Sequence, residues 1–483
     1  MGRQKFTRQF KRWFYHSLIL GLVGLNLNLA AHESLEVTGW SLESFDDEKP
    51  STWLGSDPVL GRLACPSLTR LNLHQQKSEP LVLKTVVSEG DPKHASWVFN
   101  LRSGIYWWSG EEVKAEELIL FLKSNLSSIV REKGSGIWTL PDYEIQTESP
   151  SSIKIMWKKT PEFGPYIFNE IPLWRHREGN PDPSIKFECV GRYIPKKDGD
   201  SWVLSPNPKY GLKTQTLVLN RTRAKSKRSG FDFSMAESQE TAIGKRDFLK
   251  TSPCSCLLDI PLISAVVWMD HNSLSQDKRK LLSSLFPREA LLRTGAGYWG
   301  SLSSSVIPKN HPGYDQSLTY RKFSLTQRKN REPLMLSSVR GKVGLVEKIY
   351  ADSLMASGFD VQFLPKEDTR VDGMITGLLI PWPSLDLFDS FHSKGKEVLG
   401  RRKSFSPELD KALEEYRVSL THESPNFQAL KKVHKLLYDL EWVSVLMQHQ
   451  ICLETVGLKK KTKIEVKDPD WFIDLLTQTG GVS

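Results

Sequence analysis

No apolar run in this 483-residue chain reaches the roughly twenty residues that a membrane-spanning helix needs. The nearest, Ser17 to Ala31, is shorter and is interrupted by Asn26 and Asn28. Catalytic signatures are equally scarce. There is no Gly-x-Ser-x-Gly, no His-Glu-x-x-His and no glycine-rich loop closing on Lys-Ser or Lys-Thr, and the eleven histidines are scattered. No catalytic residue is therefore assigned. The five cysteines, Cys65, Cys189, Cys254, Cys256 and Cys452, show no metal-binding spacing, because Cys254-Ser255-Cys256 is too close for a zinc knuckle and no histidine stands beside it. Neither a metal nor a cofactor is expected. An oxidising compartment would allow disulfides, the odd count leaves at least one thiol over, and the pairing cannot be read from spacing. Charge of one sign is also lacking: the net charge is +10, but five of the basic residues lie in the first 31, leaving 61 basic against 56 acidic residues beyond. That excess of +5 argues against a dedicated nucleic-acid binder. The basic runs Arg221 to Arg228 and Lys459 to Lys463 have no interleaved aromatics and read as solvated loops.

What is present begins with export. Arg3, Lys5, Arg8, Lys11 and Arg12 precede the apolar segment without an acid, and Ala30-Ala31 closes it. A basic start, a short apolar core and small residues are the layout of a secretory signal. Residues 1–31 are expected to direct the chain through the general secretory route, with an uncleaved anchor as the alternative. No cysteine follows before Cys65, so a lipid-anchored form has no support.

The rest of the chain is organised around Ser96 to Leu126. Trp97, Phe99 and Leu101 alternate with Val98, Asn100 and Arg102, the period of a strand with one buried face. Gly104 and Gly110 flank Ile105-Tyr106-Trp107-Trp108, which reads as a second short strand. From Ala115 the period lengthens: Ala115, Leu118, Ile119, Leu122, Leu126 and Ile129 share a helical face, with Glu111, Glu112, Glu116 and Glu117 near its positive end.

This unit closely resembles the signature of the family 5 solute-binding proteins of bacterial ABC importers, in which a Trp-x-Phe-x-Leu-Arg-x-Gly strand leads to a hydrophobic pair, a glycine turn and a helix opening Ala-Glu-Asp. Lys114-Ala115-Glu116-Glu117 stands here at the helix start. Collinear likeness continues. Asp57-Pro58, opening a helix-like run to Leu71, and Glu79-Pro80-Leu81 resemble the family loosely, while Cys189-Val190-Gly191-Arg192-Tyr193 keeps one glycine and the aromatic of its Gly-x-Gly-Pro-Tyr turn. Trp202 to Tyr210 is similar to its strand followed by Asn-Pro-x-Tyr. Ile263 to Met269 resembles the strand into the second lobe, and Asp277 to Arg293 the helix after it, broken near Phe286 by Pro287. Leu345 to Leu354 and Phe359 to Phe363 read as helix and strand. Two helices, opened by Ser406-Pro407 and Ser424-Pro425, precede a last strand from Trp442 to Gln450.

The resemblance implies a two-lobed α/β fold of the periplasmic-binding-protein type (type II), with mixed sheets, discontinuous lobes and an extra subdomain. Lobe I would span 32–265 with an inserted subdomain at about 72–180, lobe II 266–441, and 442–483 would return to lobe I and end as a tail. By the same resemblance the protein captures a peptide or similar small solute between its lobes, performs no chemical step, and as a monomer hands the solute to ABC permease subunits of the inner membrane. Its place would be the periplasm. Trp107, Trp108 and Trp382 are candidates to stack on a ligand, and Asp386 to hold its ammonium group. Aligned on Gly377 instead, the family's ligand-binding acid becomes Pro381, which argues against ordinary peptides because a buried ammonium without a carboxylate is costly. Two other readings stay open: a degenerate relative acting as sensor or interaction protein, and a secreted hydrolase.

Overall fold

Two fourteen-residue strands, Cys256–Met269 and Val443–Val456, form the spine of the protein. Their β-branched and apolar content (Ile263, Val266, Val267; Val443, Val445, Ile451) suits strands covered on both faces. The computed structural model describes residues 35–38, 63–72, 77–91, 94–169, 171–177, 185–199, 201–210, 216–220, 230–232, 256–289, 300–307, 309, 311–323, 331–338, 343, 345–365, 367–379, 385–395, 406–422 and 424–456. The expected export signal therefore lies outside the described residues.

The two long strands pair antiparallel, with Ile263 opposite His449 and Trp268 opposite Val443. The ladder is irregular on both sides of the Pro261–Gln450 pair. Proline has no N–H to give, so the pairing loosens there between a short segment at Cys256–Leu257 and a longer one from Ile263, which itself shifts register once between Ala265 and Val266. On the lobe I side Val443–Val456 pairs with Gly230–Asp232, which joins Leu35–Thr38, Leu217–Asn220, Ser201–Pro206 and Tyr193–Asp198. On the lobe II side Cys256–Met269 pairs with Gly373–Leu379, followed by Glu332–Ser338 and Phe359–Phe363. Both halves mix parallel and antiparallel neighbours. This is the mixed α/β architecture that the resemblance implies.

A four-stranded antiparallel sheet stands apart, in the order Leu83–Asp91, His94–Leu101, Ser152–Trp157, Tyr143–Ser149. Trp97, Phe99 and Leu101 are buried, and the Trp97 and Trp157 rings meet edge to face at 4.7 Å. Helix Ala115–Lys133 covers this sheet with Ala115, Leu118, Phe121, Leu122, Leu126, Ile129 and Val130, while Ile119 is only partly buried. Glu117 accepts from the Lys114 backbone N–H at 2.9 Å and so satisfies one free donor at the helix start. Ile105 to Trp108 is not the expected strand. With Gly104 at φ 71° and Gly110 at φ 85°, the segment folds back on itself and keeps only a bridge between Tyr106 and Glu112. Cys65 and Cys189 form a disulfide across 124 residues, closing the subdomain's two ends.

Other expectations shift by a few residues. The run toward Leu71 ends as strand Thr69–Asn72 rather than helix. The helix after the crossing strand is Gln276–Ser284, ending before Pro287. Phe427–Leu440 is capped by Asn426, whose Oδ1 accepts from Gln428 and Ala429, and not by Ser424.

Arg288 pins the crossing strand to lobe II. It is 3% exposed, and its guanidinium donates to the Val445 carbonyl (2.8 and 3.0 Å), the Ser283 carbonyl (2.7 Å) and the Ser283 and Ser444 hydroxyls (3.2 and 3.1 Å). Burial pushes it down to about 10, still charged at neutral pH. Arg288→Met should cost about 2–4 kcal/mol in urea unfolding, because the acceptors around it lose their donors while sealed from water. A loss below about 0.5 kcal/mol would contradict this role.

Candidate functional site

Trp107 and Trp108 fall inside the subdomain. Trp107 is fully buried; its indole N–H donates to Glu117 at 2.9 Å, and the Arg175 guanidinium lies 4.6 Å from its ring. Arg175 also binds Glu111, Glu117 and Glu188, and Arg177 binds Glu188 at 2.6 Å. Trp108 donates through its indole to the Ala64 carbonyl at 3.0 Å and through its backbone to the Cys189 carbonyl at 3.0 Å. Trp107 is thus tied to the helix start and Trp108 to Ala64 and the disulfide-linked strand Phe187–Cys189, and both rings are buried. Trp382 lies outside the described residues. Asp386 sits in helix Leu385–Phe391, beyond the end of strand Gly373–Leu379 that flanks the spine.

The subdomain and lobe II meet along a seam. Gly134 to Trp138, with Ser135 at φ 51° and Gly136 at φ 80°, leave the end of helix Ala115–Lys133 and reach the helices of lobe II. The Ser135 hydroxyl donates to Asp389 at 2.5 Å, and the Arg417 guanidinium lies between the Trp138 and Phe388 rings at 4.2 and 4.7 Å. Gly164 packs so closely on the Thr421 carbonyl that a Cβ there would sit 2.4 Å from it. Across the spine, Gln448 donates to the Ser305 and Ile307 carbonyls at 2.7 and 2.9 Å, holding the loop Ser303–Ile307 beside the crossing strand.

In lobe II a cavity of about 360 Å³ is lined by Ser303, Ser304, Lys309, Tyr314, Gln316 and Tyr320 among others. Ser304 faces His434, Oγ to Nε2, at 3.4 Å. This pair has the composition of a nucleophile and base but not the polarity. The Asp315 backbone N–H donates to His434 Nδ1 at 2.9 Å, so Nδ1 carries the lone pair and the proton of the neutral ring is on Nε2. A ring so held cannot take the Ser304 proton, and the Ser304 hydroxyl already donates to the Leu318 carbonyl at 2.9 Å. Among the described residues no group of three His, Cys, Asp or Glu side chains could hold a metal ion.

Arg417 and His434 went unassigned in the sequence, yet both carry a readable signal. Arg417 lies four residues after Leu413, and His434 four after Leu430, so each puts a polar group on a buried helical stripe.

No protein-family model matches the chain, and no curated protein matches it in sequence. Solved structures do resemble it. The oligopeptide-binding protein AppA of Bacillus subtilis, in complex with a nonapeptide, is 12% identical and superposes with a TM-score of 0.61 over 92% of this chain and 98% of its own. NikZ of Campylobacter jejuni, in complex with Ni(L-His), is 13% identical, with a TM-score of 0.59 over 89% and 96%. DppA of Helicobacter pylori, an ABC transporter-associated periplasmic binding protein in complex with the peptide STSA, is 11% identical, with a TM-score of 0.60 over 91% and 98%. At such identities the likeness is one of fold: the chain has the two-lobed fold of these substrate-binding proteins.

Burial pushes His434 down to about 4 and His311 down to about 3, from an ordinary 6.5. Below pH 6.5 the unfolded chain takes up protons that the folded imidazoles refuse, so their contribution is complete above that pH and is lost as pH falls toward 4. The melting temperature should drop over this window, and His434→Gln should flatten the drop while lowering the melting temperature at pH 7. Calorimetry across pH checks this; equal slopes for both proteins would contradict it.

Proposed function

We propose that this protein is an extracytoplasmic solute-binding protein that closes its two lobes on a peptide or similar small solute and delivers it to an ABC importer, with no chemical step. The observation that carries the reading is the paired crossing of the spine, loosened at Pro261–Gln450 between the two halves of the sheet. A hinge of this kind lets lobes close on a solute while each keeps its own ladder. The fold shared with binding proteins for peptides and for nickel–histidine supports solute capture over turnover. The proton placement at Ser304–His434 weighs against a hydrolase built on that pair.

In this reading residues 1–31 export the chain to the periplasm, the four-stranded sheet and its helix are the inserted subdomain, and the monomer docks on permease subunits. Among the described residues no helix is long and apolar enough to cross a membrane. Trp382 and Asp386 remain the proposed ligand contacts. In sequence they follow strand Gly373–Leu379, which pairs with the spine strand Cys256–Met269. Trp107 and Trp108 serve instead as packing and hydrogen-bonding residues.

Native mass spectrometry of the exported, purified protein, followed by mild denaturation, tests the reading. A copurifying small solute is expected, and adding it back should raise the melting temperature by at least a few degrees. If the solute is a peptide with a free amino terminus, Asp386→Asn should weaken its binding about tenfold or more. An empty protein that no di- to nonapeptide library stabilises would overturn the importer reading in favour of a sensor or interaction protein.

A further inference from the structure

The subdomain is held on two sides by unlike contacts. On the lobe I side Asn207 is wholly buried, and its amide donates to the Trp107 and Gly191 carbonyls at 3.2 and 3.4 Å while accepting the Lys209 backbone N–H at 3.1 Å. Beside it the Tyr210 hydroxyl accepts the Tyr106 backbone N–H at 3.1 Å and donates to the Val190 carbonyl at 2.7 Å. Asn207 and Tyr210 follow strand Ser201–Pro206 of the lobe I sheet, so this join is a connected set of hydrogen bonds to backbone groups. The subdomain therefore moves with lobe I. On the lobe II side the join interleaves side chains. Ile137 of the subdomain packs on the core of lobe II, and Val418 of lobe II packs on the core of the subdomain. Arg417 lies between the Trp138 and Phe388 rings, and the Ser135 hydroxyl reaches Asp389. Contacts of this mixed, partly polar kind belong to interfaces between domains that move.

Gly164 sets how closely this seam shuts. Its φ of −93° and ψ of 177° are extended values that any residue adopts, so its own backbone does not call for glycine. Across the seam, however, a Cβ there would lie 2.4 Å from the Thr421 carbonyl oxygen. We propose that the seam is a latch, shut across Gly164, which holds the subdomain and lobe I with it against lobe II and must release before the lobes can part. Solute-free protein then exchanges between latched and parted forms, and a solute that touches both lobes favours the latched one. The latch presupposes the lobe motion proposed above, but its test uses no solute, so it can fail while solute capture stands.

Hydrogen exchange and small-angle X-ray scattering, on protein freed of solute by mild denaturation and refolding, test the latch. In the wild type, residues 134–138 and 418–422 should exchange at least about tenfold faster than spine residues 263–269, because a latch opens without unfolding the lobes. Gly164→Ala sets a methyl group against the Thr421 carbonyl. It should speed exchange at the seam by about a further tenfold and enlarge the radius of gyration by on the order of 1 Å. Ser135→Gly removes the bond to Asp389 at a backbone angle, φ 51°, that glycine adopts freely, and should shift both readings in the same direction but less. Seam exchange as slow as that of the spine in the wild type would overturn the proposal. So would a Gly164→Ala protein with unchanged seam exchange, or with faster exchange and no expansion. If Gly164→Ala does not fold, Ser135→Gly decides by the same two readings.

Discussion

The pairing of Cys256–Met269 with Val443–Val456 is the contact on which the rest of the molecule depends. It joins residues separated by most of lobe II, so its loop-closure cost falls due only when the intervening strands and helices are in place to share it. Each strand then extends a different half of the mixed sheet. Arg288 and Gln448 reinforce the ladder from the lobe II side, one gathering backbone and hydroxyl acceptors, the other donating to the loop Ser303–Ile307. Proline at 261 interrupts the same ladder. The ladder shifts register on both sides of the Pro261–Gln450 pair and once more between Ala265 and Val266, inside the lobe II half.

The subdomain adds a second contact between the halves. Its core of Trp97, Phe99, Trp157 and the helix face of Leu118, Leu122 and Leu126 is closed by the Cys65–Cys189 disulfide and by the ionic cluster around Arg175. From the end of that helix, Ser135 and Trp138 reach Asp389 and Arg417 in lobe II. Among the described residues the halves are therefore joined by a covalent crossing and by a noncovalent seam. The seam can part without breaking a ladder.

Much of the scaffold was legible because period and burial coincide. Trp97, Phe99 and Leu101 alternate and are buried; Ala115, Leu118, Leu122, Leu126 and Ile129 repeat at helical spacing and are buried. Ile105 to Trp108 misled because a four-residue apolar run between glycines carries no period of its own, and the positive φ at Gly104 and Gly110 turned it into a loop. That change also moved Trp107 and Trp108 from an imagined cleft into the core. Spacing could not pair Cys65 with Cys189, since proximity arises only once the subdomain folds. Arg417 and His434 were overlooked as polar residues on apolar stripes, and it is those interruptions that mark the seam and the cavity in lobe II.

Hinged closure of the lobes on a solute is tested most directly by small-angle X-ray scattering of the protein, before and after saturation with the solute that native mass spectrometry releases from it. Closure predicts a radius of gyration smaller by on the order of 1 Å and a narrower distance distribution in the bound state. Identical scattering curves, with the solute shown to be bound, would contradict it.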